Sequence, residues 1–115
     1  MEAWKANQGM FGGLGSAIGS IVGAFSSEDL KTEKRPVRDL TKAIRSMRVE
    51  KWRYKDGVAD EAEHIGPYAE EFQKATGVGD GRTIKFQDAI GVTMGAVKEI
   101  ADKVDRIERR IKVAA

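Results

Sequence analysis

Apolar positions recur most regularly at the carboxy-terminal end, where Val97, Ile100, Val104, Ile107 and Ile111 stand three, four, three and four residues apart. That spacing lines one side of an α-helix. Ile90 and Thr93 extend the stripe backwards, with Gly91 and Gly95 as weak points, and together they predict a helix from about residue 89 to the end. Lys98, Glu99, Asp102, Lys103, Asp105, Arg106, Glu108 and Arg109 fill the other positions and predict a polar outer surface. β-Branched residues at both repeating positions favour three or four strands over two, so the stripe predicts a homotrimeric coiled coil. The competing reading packs the same stripe against the chain's own small core.

Upstream, Val37, Leu40, Ile44 and Met47 follow Pro36 at spacings of three, four and three and predict a second amphipathic helix. "VEKWRY" alternates, which predicts a short strand ending at the Asp56-Gly57 turn and puts Trp52 and Tyr54 on one face as packing residues. A Gly66-Pro67 break precedes a short helix predicted from Tyr68 through Ala75, along which Tyr68 and Phe72 pack as neighbours. Gly77, Gly79 and Gly81 then interrupt regular structure without forming a nucleotide-binding fingerprint. The predicted class is α+β: a small mixed domain with short strands and a carboxy-terminal helix that forms a three-stranded coiled coil.

Residues 9–25 carry no charge, and Gly15, Gly19 and Gly23 fall four apart, a spacing that gives a helix one narrow face for close packing. Seventeen helical residues span roughly 25 Å, short of a hydrocarbon core of about 30 Å. Axial packing in an assembly is the preferred reading, with membrane contact and a buried or flexible tether as alternatives. The expected organisation is a glycine-rich packing or anchoring segment at 1–25, a small α/β region at 26–88 and a trimerisation helix at 89–115.

Composition sharpens this picture. The 115 residues are 41% hydrophobic but only 7% aromatic, so large core side chains are few and oligomerisation would supplement the core. The absence of cysteine excludes disulfides and thiolate metal sites. A single histidine, His64, beside Glu61 and Glu63 does not supply a multi-histidine metal cluster, and no cofactor or metal is expected. The net charge of +2 is too small to imply nucleic acid, yet residues 31–55 hold ten basic and three acidic residues, against one basic and seven acidic in 56–80. A solvated surface is the preferred reading of the basic block, and a nucleic-acid footprint through Lys34, Arg35, Arg38, Lys42, Arg45 and Arg48 is the alternative.

One short stretch raises a question of chemistry. In "SSEDLK", Ser26 can cap a turn whose fourth residue, Asp29, reaches back to it. A serine with an uncharged lysine in hydrogen-bond reach is also a nucleophile and its base, and Lys31 lies five residues on.

Taken in order, "SSEDLKTEKRPV", "VEKWRYKDG", "EHIGPYAEEFQKATG" and "TIKFQDAIGVTMGAVKEI" resemble the intramolecular chaperones of bacteriophage tailspikes and tail fibres, the endosialidase chaperone or peptidase S74 family. The resemblance covers approximately residues 26–111. It implies a small mixed domain that trimerises through its carboxy-terminal helices, assists trimeric fibre assembly and, in cleaving members, is released by self-proteolysis. By the same resemblance Ser26 would be the nucleophile, Lys31 the general base, and the break would fall between Phe25 and Ser26. Ser27 stands where the family commonly has aspartate, and cleavage would release only 25 residues. The expected role is therefore a trimeric virion or tail-associated structural protein that keeps a chaperone-like domain and works with other phage tail proteins after synthesis in the host cytoplasm. A self-cleaving assembly chaperone is one alternative, and a membrane- or DNA-contacting component of genome delivery is another.

Overall fold

A computed structural model describes residues 26–114. A single 3-10 turn at Glu28–Leu30 leads through an extended segment to helix α1 (Leu40–Ser46). Strands β1 (Glu50–Arg53) and β2 (Glu63–Gly66), helix α2 (Ala69–Thr76) and the long helix α3 (Phe86–Ala114) follow. The described residues thus form the mixed architecture that the sequence predicts, with a long terminal helix. The predicted glycine face at Gly15, Gly19 and Gly23 lies outside the described residues.

Helix α1 begins later than its apolar spacing implies. Asp39 adopts a left-handed backbone with φ of 60°, which stops helical propagation towards Pro36. Val37 therefore precedes the helix and stays 67% exposed. Leu40 and Ala43 are buried and Ile44 and Met47 half-buried, so Ala43 takes the place in the core that the spacing had assigned to Val37. With Phe72 and Ala96 they complete the core, and α1 is the hub that packs on both α2 and α3.

The strands form an antiparallel pair in which Trp52 stands opposite His64 and Lys51 opposite Ile65. Sequence reading missed β2, because four residues with one aliphatic side chain, ahead of a Gly-Pro break, carry almost no alternation. The pairing is built on aromatic stacking. The Trp52 and His64 rings lie 5.0 Å apart, and the Tyr54 ring meets Trp52 edge-on at 4.9 Å. His64 Nε2 lies 2.8 Å from Asp60 Oδ1, so the histidine serves the hairpin loop. Trp52 and Tyr54 thus share a face, as the alternation predicts.

Arg48 ties the ribbon to the helices. Its backbone nitrogen and its Nε donate to the Glu71 carboxylate at 2.8 and 2.7 Å. The guanidinium also lies 4.9 Å from the centre of the Tyr68 ring, and the Tyr68 hydroxyl donates to Glu50 Oε1 at 2.6 Å. These contacts hold Glu71 below the usual carboxylate range, chiefly through the Arg48 side-chain hydrogen bond, and push Tyr68 above the usual phenol value, chiefly through Glu50. Tyr68 is extended and precedes α2, while Phe72 is 3% exposed inside it. Gly77, with φ of 79°, ends the helix by donating its N–H to Gln73 O at 2.8 Å.

Candidate functional site

Helix α3 carries two distinct faces. One holds Gly95, Ala96 and Glu99, which meet α1. Ala96 is buried, and a methyl added at Gly95 would overlap the Leu40 side chain. Small residues here let the two helices approach closely.

Glu99 is the polar member of this face. Its Oε2 accepts from Leu40 N at 2.8 Å, and its Oε1 accepts from Thr41 N at 3.0 Å and from the Thr41 hydroxyl. Free N–H groups at a helix start need acceptors, and Asp39 supplies no side-chain cap. A carboxylate from α3 fills that role. The Thr41 side chain first, then the two backbone donors, hold Glu99 below the usual glutamate range. Glu99 is half-buried and turned towards α1, which corrects its assignment to a polar outer surface. The pattern of charges alone did not separate it from its neighbours, since Glu99 sits among Lys98, Asp102 and Lys103.

The second face is the predicted stripe. Val97, Ile100, Val104, Ile107 and Ile111 are 60%, 51%, 47%, 46% and 63% exposed. At about 100° per residue their direction lies roughly 120° from that of Gly95, Ala96 and Glu99. The stripe is therefore not the surface that packs on this chain's own core. Ile90, which the spacing already included, is also exposed, and because α3 starts at Phe86, three residues before the expected start, the exposed Phe86 lies beyond it. Every residue from Ile100 to Ala114 is exposed, so the outer half of α3 stands clear of the other described residues.

Ser26 and Lys31 flank the 3-10 turn, and both are exposed. The cap is Ser27, whose Oγ accepts from Asp29 N at 3.3 Å, and not Ser26 as the sequence spacing implied. Lys31 N closes the turn by donating to Glu28 O at 3.0 Å. Among the described residues no hydrogen bond joins the Ser26 and Lys31 side chains. A groove of about 480 Å³ lies between the 35–40 segment, the end of α2 and the start of α3, lined in part by Pro36, Val37, Leu40, Val78 and Val92. It holds no serine or histidine, and neither Ser26 nor Lys31 borders it.

The basic block is dispersed rather than gathered on one element. Lys34 lies 3.6 Å from Glu28, and Arg48 is committed to Glu71. Lys42 and Arg45 remain exposed on α1. No helix among the described residues is long and apolar enough to cross a membrane.

Comparison with known families fits this arrangement. Residues 26–80 match the family described as chaperone of endosialidase, from the segment that carries Ser26 through the hairpin and α2. This segment, 55 of the 115 residues, is similar to that family, which supports the resemblance read from the sequence. Comparison with curated proteins and with solved structures yields no match.

Proposed function

We propose that the chain is a trimeric, tail-associated structural protein of a phage virion, which retains the chaperone domain as an assembly and alignment module. The observation that carries this reading is the exposure of the α3 stripe on a helix whose other face already packs on α1. An apolar stripe of β-branched residues with that geometry fits two further copies around a threefold axis. Each buried aliphatic side chain contributes about 1.5–3 kcal/mol before ordering costs, so five per subunit are enough to decide the oligomeric state. Multi-angle light scattering of the purified chain tests the proposal. A trimer is expected, and a monomer at physiological salt contradicts it.

A second reading makes the chain its own single-turnover protease. It is favoured by the position of the family match, which begins at Ser26. In that reading Ser26 Oγ attacks the Phe25 carbonyl carbon while Lys31 takes the hydroxyl proton and passes it to the departing Ser26 nitrogen, so that the Phe25–Ser26 peptide bond breaks as an ester forms. Water then hydrolyses the ester, freeing the Phe25 carboxyl and the Ser26 hydroxyl, and assembly brings the two side chains within reach. Mass spectrometry of freshly folded protein separates the readings. An intact chain supports the structural role, whereas a 26–115 product that disappears on Ser26→Ala or Lys31→Ala establishes the protease.

A further inference from the structure

The apolar stripe assigns every position of α3 to a place in a heptad. With Ile90, Val97, Val104 and Ile111 at the first position and Thr93, Ile100 and Ile107 at the fourth, Lys103 falls at the seventh position of one heptad and Glu108 at the fifth position of the next. These are the positions that flank a coiled-coil seam and face a neighbouring helix. Both residues are exposed.

Neither residue has an ion-pair partner among the described residues. The pair formed along α3 is Asp105 with Arg109, at 2.9 Å. Lys103 and Glu108 are five apart, which sets them about 140° apart around one helix, too far to meet within a chain. The glutamate four residues before Lys103 is Glu99, whose carboxylate is held by Leu40 and Thr41. Of the other flanking pairs, Ala89 with Met94 and Ala96 with Ala101 carry no charge, and Arg110 stands against the uncharged Ala115. Lys103 with Glu108 is thus the one flanking pair of opposite sign.

We infer that Lys103 of one subunit pairs with Glu108 of a second, parallel copy of this chain, and that this pair favours alignment of the helices in parallel and in register. The inference rests on the trimeric reading above and adds what aligns the copies. Parallel helices in register set the seventh position against the fifth position of the following heptad. A slip of one heptad brings Lys103 opposite Ala101 or Ala115; the first slip sets Arg110 against Glu108 but gives up a heptad of apolar overlap, and the second leaves Glu108 facing Ala96. An antiparallel arrangement sets like positions against each other. Each loses the Lys103–Glu108 pair. Three copies of the pair form in a trimer.

Sedimentation equilibrium of the full chain at low salt tests the pairing with Lys103→Glu, Glu108→Lys and the combined exchange. Each single change sets like charges against each other at three places and is expected to weaken assembly by about tenfold. The combined exchange restores it, and 1 M salt, which shortens screening to about 3 Å, removes most of the difference between single variants and parent. Helical circular dichroism at high salt verifies that all variants fold. A wild-type trimer indifferent to the single changes, or a combined exchange that is no better than either, overturns the pair alone. A wild-type chain that sediments as a monomer overturns the trimeric reading and the pair with it.

Discussion

Glu99 accepts hydrogen bonds from both the backbone nitrogen and the hydroxyl of Thr41, 58 residues earlier in the chain. One carboxylate thereby closes the start of α1 and anchors it to the helix that carries the exposed apolar stripe. Glu99→Gln turns one of its two acceptors into a donor that opposes the N–H groups of α1. A fall in Tm of about 4–8 °C is expected, the shift that a modest destabilisation produces in a domain of this size. Thermal melting followed by circular dichroism measures it.

The same carboxylate gives the stability a direction with pH. Glu99 and Glu71 are held below the usual glutamate value of 4.5, and Asp60 and Asp80 below the usual aspartate value of 3.8. A lowered folded-state value contributes stability that is fully present above the unfolded value and is lost as pH falls through the folded one. Stability is therefore expected to be flat above about pH 5 and to decline progressively below pH 4.5. Glu99→Gln removes one titrating group, so its stability curve declines less steeply over that window. Urea unfolding at a series of pH values checks both slopes.

Two glycines of α3 are expected to respond in opposite ways. Gly91 has open space where a side chain would begin, so Gly91→Ala gains helix propensity and stabilises by about 0.5–1 kcal/mol. Gly95 lies under Leu40, and Gly95→Leu is expected to destabilise by about 1–3 kcal/mol through overpacking. Equilibrium denaturation of both variants checks the sign of each change.

The amino-acid pattern made some of this legible and hid the rest for physical reasons. The α3 stripe was readable because five β-branched residues repeat over four turns with charges between them, and its outward direction follows once Gly95 and Ala96 are seen to occupy the inner face. Trp52 and Tyr54 were readable as one face of a strand. The β2 strand was not, because its pairing is carried by the contact of His64 with Trp52, a relation between distant residues. Glu99 was hidden for the same reason, as its partners Leu40 and Thr41 lie on another element. The position of α1 shifted because Asp39 is left-handed, which an aspartate permits without any signal in the apolar spacing. Ser26 and Lys31 were legible as a spacing and through the family resemblance, and the folded chain leaves both in solvent.

Phe72 is expected to be the most sensitive single core position. It is 3% exposed in a core of few large side chains, and Phe72→Ala should cost about 3–5 kcal/mol. Such a loss is comparable to the whole stability of a small domain, so the variant should expose its amide protons to exchange throughout α1 and α2. Hydrogen exchange confined to the ends of the helices would show that Phe72 is dispensable.

The central claim is that the outward stripe of α3 joins subunits into a trimer. Sedimentation equilibrium of the wild-type chain and of Ile107→Asp at the same concentration tests it most directly. The wild type is expected at three times the 12.6 kDa chain mass, and Ile107→Asp, which places a charge in the middle of the stripe, is expected to weaken association at least about a hundredfold. A wild-type chain that stays monomeric, or an Ile107→Asp variant that sediments as the wild type does, would contradict the account.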